Sequence, residues 1–251
     1  MSSFKNIKAL TFDVFGTVVD WRSSVSREIS KMGDKYNFDL DWELFADEWR
    51  SGYAPSMDRV RNEEVEWTNL DTLHRTILDR LLDKYEITAL DEIDKEYLNK
   101  AWHRLDPWDD SVEGLNRLKK SFIITTLSNG NVSLLLNMAK HANLPWDMIL
   151  SAELVKRYKP DPATYLSSSK LLDIPVNQVM MVAAHKKDLF NAKSLGMATA
   201  YIPRPLENGP ETQVDSKPED YIDIIGTDFI CLLYTSPSPR DRTRSRMPSS
   251  A

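Results

Sequence analysis

The chain has 251 residues, 41% of them apolar, and a formal charge of −6, enough to build one large domain with an insertion or two modest domains. Its last 21 residues set Arg240, Arg242, Arg244 and Arg246 against Asp241, a local +3 that leaves the body at −9. An acidic body argues against a nucleic-acid partner, whose phosphates need clustered Lys and Arg. The single cysteine, Cys231, excludes an internal disulfide and a thiolate metal cluster.

In chain order, Ile7 to Val14 (IKALTFDV) is too continuously apolar for a one-sided strand and reads as a buried parallel strand ended by Gly16. Asp13 interrupts this opening too early for a secretory signal, and no apolar run approaches the roughly 20 residues that span a bilayer, so a cytoplasmic protein with no membrane partner is expected. From Trp21 to about Asp106 the periodicity is helical (FADEWRSGY, LDTLHRTILDRLLDKY, EYLNKAWHRL). Strand character returns at Ser121 to Leu127, Gln178 to Ala184 and Ala198 to Ile202, with a shorter candidate at Met148 to Ala152. Helical stretches separate these runs, and such alternation predicts an α/β fold: a doubly wound, Rossmann-like parallel sheet. Residues 1–20 and 107–230 are expected to form this core and 21–106 an all-helical cap. Inserted directly after the first strand, the cap should cover the carboxyl ends of the sheet and exclude water. DYIDIIGTDFI reads as the start of a last helix, and 231–251, crowded with Ser, Pro and Arg, as a disordered, non-native tail.

Chemistry-bearing residues cluster at the predicted strand ends. Asp13, followed by VFGTVVDW, brings a carboxylate, a Gly turn and the Thr17 hydroxyl together, which suits a nucleophile or, alternatively, a turn-capping Asp. Ser128, Asn129 and Gly130 end the second strand, either as an anion-holding turn or as an ordinary one. Lys159 stands in a Lys-Pro-Asp loop and by itself reads equally as a surface charge. His185 and Asp188 follow the third long strand, where a lone His also has a structural reading.

The order of these motifs resembles the haloacid dehalogenase superfamily: DVFGTVVD (Asp13 to Asp20), LSNG (Leu127 to Gly130), YKPDPATY (Tyr158 to Tyr165) and VAAHKKDL (Val182 to Leu189), a resemblance covering about residues 5–230. Phosphatases of that superfamily carry a second Asp two positions after the nucleophile and two acidic residues in the last motif. Here Phe15 and a lone Asp188 beside His185 stand instead, which disfavours Mg²⁺. The string is most similar to type II (S)-2-haloacid dehalogenases, since a departing halide needs no proton.

That resemblance implies, without cofactor or metal, attack by Asp13 on C2 of a small 2-haloacid, an aspartyl-ester intermediate and hydrolysis to the 2-hydroxy acid. It assigns Lys159 to pairing with Asp13 and Asp188, and Thr17 and Tyr165 to the surroundings of the nucleophile. Ser128 and Asn129, with the backbone near Val14 and Phe15, would hold the substrate carboxylate. Arg50 would receive the halide, its alternative being a solvated helix Arg. Ala183 and His185 depart from the Ser and Asn of several members. With an ordinary pKa near 6.5, His185 is expected to position or activate the hydrolytic water. A homodimer is compatible with the resemblance. The competing functions are a phosphatase or C–P hydrolase on the same scaffold and a non-catalytic protein binding a small carboxylate.

Overall fold

The computed structural model of the protein describes residues 6–213, 215 and 217–235, with side chains to 232. Its centre is a five-stranded parallel sheet of β1 (Ala9–Phe12), β4 (Ile123–Thr126), β5 (Val179–Ala183), β6 (Ala198–Tyr201) and β7 (Ile224–Ile225), in the order β4-β1-β5-β6-β7. β1 is an interior strand: Ala9 pairs with Ile123 on one side and Val179 on the other. Because successive side chains point to opposite faces, β1 and β5 serve two cores. Leu10, Phe12, Met180 and Val182 face one, and Ala9, Val179, Met181 and Ala183 the other. α6 (Ser111–Lys119), α7 (Val132–His141) and α10 (Phe229–Thr235) supply Leu115, Leu118, Leu134, Met138 and Phe229 to the first. α8 (Pro162–Leu172) and α9 (Lys186–Ser194) supply Tyr165, Leu189 and Ala192 to the second. Apolar burial on both faces accounts for the uninterrupted apolar runs.

The segment between β1 and α6 is helical: α1 (Trp21–Tyr36), α2 (Trp42–Ser51), α3 (Tyr53–Arg61), α4 (Leu70–Lys84) and α5 (Glu92–Asn99). Asp20, Asp41, Asn69 and Asp91 cap α1, α2, α4 and α5 by accepting from backbone N–H groups of their first turns. Trp49 and Trp102 cross edge-to-face at 5.6 Å, and Trp21 stacks on Trp102 at 6.2 Å, inside this insert. The chain enters and leaves it through a two-stranded antiparallel ribbon, β2 (Val19–Asp20) with β3 (Asp106–Pro107).

Three local expectations are corrected. Met148 to Ala152 is not a continuous strand; it meets β4 and the residues just after it through isolated bridges at Met148 and Ser151, the Thr125 and Thr126 hydroxyls bonding the Met148 and Leu150 carbonyls between scattered backbone hydrogen bonds. DYIDII is not helical, since Ile224 and Ile225 pair with Ala200 and Tyr201 as the edge strand β7, and the helix begins after Gly226. That helix runs on to Thr235, and Leu232 is fully buried, so 231–235 are not tail. The rest of the expected disordered tail, 236–251, lies outside the described residues.

Candidate active site

Asp13 continues β1 by one residue, its N–H donating to the Val182 carbonyl at 3.0 Å. The chain then turns sharply, the Val14 carbonyl accepting from Val18 and Val19 N–H. Gly16 sits at φ +78°, and a Cβ there would run into the Glu207 carboxylate, so only glycine fits. The turn brings back Thr17, whose Oγ1 donates to Asp13 Oδ2 at 2.8 Å and accepts from the Ala184 N–H at 2.9 Å.

Lys159 arrives from the loop before α8, a helix capped by Asp161 with Pro162 in its first turn. The Asn129 Oδ1 accepts from the Lys159 N–H at 2.8 Å and the Arg61 guanidinium donates to the Lys159 carbonyl at 2.9 Å, which pins the backbone. The buried ammonium lies 2.6 Å from Asp188 Oδ2 and 3.4 Å from Asp13 Oδ1. The Tyr165 hydroxyl donates to the other Asp188 oxygen at 2.5 Å. Burial pushes the Asp13 carboxyl up, but the Lys159 charge and the hydrogen bonds from His185 and Thr17 outweigh it and hold Asp13 well below the carboxylate range. Asp188 moves the other way: burial and the nearby Asp13 charge raise its pKa despite Lys159. Shared between two carboxylates, Lys159 is itself raised despite its burial.

His185 lies between two carboxylates. Its Nδ1 is 3.0 Å from Asp13 Oδ2, and its Nε2 is 3.0 Å from both oxygens of Glu207. Burial lowers its pKa, but the hydrogen bonds to Asp13 and Glu207, then their charges, raise it to about 10. Carboxylates facing both ring nitrogens favour the doubly protonated ring, whereas the expected activation of water by proton abstraction needs the neutral one.

These groups open on a cavity of about 250 Å³ whose wall includes Asp13, Phe15, Asn129, Lys159, Tyr165, His185 and Asp188. α2 and α3 of the insert close it with Arg50, Tyr53, Met57 and Arg61. The Arg50 guanidinium lies 4.2 Å from the Tyr53 ring centroid, 5.6 Å from Trp21 and 6.0 Å from Phe15. Its Nη1 is buried with no hydrogen-bond partner among the described residues. Neither the Val14 nor the Phe15 N–H has an acceptor among the described residues. Ser128 is apart from this wall: fully buried, its Oγ accepts from the Gly130 N–H at 3.2 Å. Sequence reasoning missed Tyr53, Met57 and Arg61, which follow the expected Arg50 at helical spacing, and Glu207, whose loop (RPLENGP) shows no periodicity. A wider cleft of about 500 Å³ at the base of the insert is lined by Arg27, Asp106, Asp110 and Arg204, whose charges are already paired as Arg27–Asp106 and Arg204–Asp110.

Residues 7–196 match the family model described as haloacid dehalogenase-like hydrolase. The chain belongs to the haloacid dehalogenase-like hydrolases. Among curated members of this family, (S)-2-haloacid dehalogenase 4A of Burkholderia cepacia is 30% identical over 222 residues, 82% of this chain and 87% of the relative. (S)-2-haloacid dehalogenase 1 of Pseudomonas sp. (strain CBS-3) is 29% identical over 214 residues, 79% of this chain and 85% of the relative. The crystal structure of a defluorinating L-2-haloacid dehalogenase superposes with a TM-score of 0.89 at 43% identity, covering 92% of this chain and 95% of the other. The insert, the parallel sheet and its order thus belong to a haloacid dehalogenase-like architecture.

Proposed function

We propose that this chain is an (S)-2-haloacid dehalogenase, hydrolysing the carbon–halogen bond of a small 2-haloalkanoic acid to give the 2-hydroxy acid. The observation that carries this reading is a pair of groups in one small cavity: Asp13, held by Lys159, Thr17 and His185, and a buried Arg50 whose Nη1 has no partner among the described residues. The first is a nucleophile and the second an acceptor for a departing anion. Phe15, with Tyr53 and Trp102 around its ring, supplies no proton to a leaving group, and halide needs none.

Asp13 Oδ2 is occupied by Thr17 and His185, whereas Oδ1, among the described residues, has only the longer contact to Lys159. Oδ1 is therefore the attacking oxygen. In-line attack on C2 expels halide toward Arg50, inverts the carbon and leaves an ester on Asp13, which water then cleaves. The substrate carboxylate is met by Asn129 and by the Val14 and Phe15 N–H groups, which have no acceptor among the described residues, with Arg61 and Lys187 adding positive charge to the cavity wall. The direct partners of Asp13 are Thr17, His185 and Lys159, and the other carboxylate on the wall, Asp188, is already paired with Lys159, a set that disfavours the oxygen-rich shell of a divalent ion. The test is incubation with (S)- and (R)-2-chloropropionate in EDTA. The expected result is chloride from the (S) isomer alone, with lactate of inverted configuration. Magnesium-stimulated phosphate release from a small phosphate ester or phosphonate, with no chloride, would replace the proposal.

A further inference from the structure

Glu207 is a buried carboxylate outside the cavity wall, with no part in the chemistry above. It is held on several sides. Its Oε1 accepts from the Trp21 indole at 3.3 Å, both its oxygens face His185 Nε2 at 3.0 Å, and it packs where any side chain at position 16 would stand. Its loop is tied to the nucleophile turn: Arg204, whose carbonyl accepts from the Glu207 N–H at 3.1 Å, donates through Nε to the Thr17 carbonyl at 2.8 Å. Glu207 thus fixes the His185 ring from behind while Nδ1 points at Asp13 Oδ2.

Once Oδ1 carries the substrate, Oδ2 is the carbonyl oxygen of the ester. Thr17 Oγ1 at 2.8 Å and His185 Nδ1 at 3.0 Å are already on that atom, inside the range of about 2.7–3.1 Å at which donors stabilise a developing oxyanion. We propose that Thr17 and His185 form an oxyanion hole for ester hydrolysis and that Glu207 is the positioning residue that holds His185 as a double donor. The inference rests on the dehalogenase reading and specifies its second half-reaction. Water forms a bond to Asp13 Cγ, and the pair of the Cγ–Oδ2 double bond moves onto Oδ2, opposite the imidazolium. The water's first proton passes to Asp188, the other carboxylate on the cavity wall. The double bond then re-forms, Cγ–Oδ1 breaks, and the hydroxy-acid oxygen takes that proton back from Asp188. The water's second proton leaves the regenerated Asp13 for solvent, balancing the halide. The charges set around His185 are Asp13 from the β1 turn, Glu207 from the loop after β6, and Lys186 and Lys187 of α9, which follow it in sequence. Lys159 and Asp188 lie beyond Asp13.

The experiment uses the whole protein with (S)-2-chloropropionate, comparing wild type with Glu207→Gln and His185→Gln. Chloride is read in the first turnover and at steady state, and the Asp13 ester by intact mass. The expected result for Glu207→Gln is kcat lower by about 10- to 100-fold, and for His185→Gln lower by about 10²–10³-fold. In both, kcat/KM and the first-turnover chloride fall far less than kcat and the ester accumulates. A parallel fall in kcat and kcat/KM without ester overturns the inference and leaves dehalogenation standing. No chloride from wild type overturns both. If a variant does not fold, NMR of His185 in wild type decides: an imidazolium at pH 8 supports the assignment, and a neutral ring overturns it.

Discussion

Asp13 has two oxygens, and its surroundings treat them differently. Oδ2 is held by Thr17 and His185, while Oδ1 meets Lys159 at 3.4 Å. Asp13→Asn removes the nucleophile and should cut first-turnover halide release by more than about 10³-fold with the thermal midpoint little changed. Retained release would show that another group attacks. Lys159→Met strands Asp13 and Asp188 as buried carboxylates. It should cost about 3–5 kcal/mol in urea unfolding as well as all activity, and unchanged stability would mean the ammonium is not a keystone of the charge cluster. The His185 pKa, raised to about 10 from the ordinary 6.5, gives stabilisation that is complete below about pH 6.5 and lost as pH rises through about 10. Asp13, depressed, contributes in the opposite sense: its stabilisation is present above the ordinary carboxylate pKa and lost as pH falls through the native value. Between pH 7 and 10.5 the urea midpoint of wild type should therefore drop more than that of His185→Gln, and equal drops would contradict the pairing. Asp13, Lys159 and Asp188 could be anticipated from sequence because motif order aligns them. Glu207 could not: nothing in a loop of Pro, Asn and Gly says which catalytic residue it will back.

At the scale of elements, alternation of apolar runs with helical periodicity sufficed for β1, β4, β5 and β6, whose residues face two cores. It failed at Met148 to Ala152, where side-chain hydroxyls of β4 interleave with isolated backbone bridges. It failed again at β7, only two residues long and stabilised by pairing with β6. Neither event has a local signature in those segments. The loop that delivers Lys159 leads into α8, and the Asp161 carboxylate accepts from the Ala163 N–H at 2.8 Å. Asp161→Ala should cost about 1 kcal/mol of stability and lower kcat through misplacement of Lys159. Activity equal to wild type despite the stability loss would separate the cap from the site.

The whole molecule is a parallel sheet with a helical insert hung from the two-stranded ribbon β2–β3, and the cavity is built from both parts. Arg50 illustrates why: on the proposed reading the insert contributes the anion acceptor and the sheet the nucleophile, and both line one cavity. The core extends past the end expected from composition, because Leu232 is fully buried and Phe229 packs edge-to-face on Phe12 at 5.4 Å. Leu232→Ala should cost about 2–5 kcal/mol, whereas a surface position would lose almost nothing. The composition shift near Ile230 concealed this, since Ser and Pro follow an apolar turn too short to show periodicity.

The central claim is that a carboxylate oxygen of the protein, not water, strikes the substrate carbon. A single turnover of (S)-2-chloropropionate with enzyme in excess in H₂¹⁸O tests it, with the product and the Asp13 peptide weighed separately. The label is predicted in Asp13 and the first-formed lactate is predicted to be unlabelled. Label in the lactate and none in Asp13 would mean that water attacks C2 directly and would contradict the account.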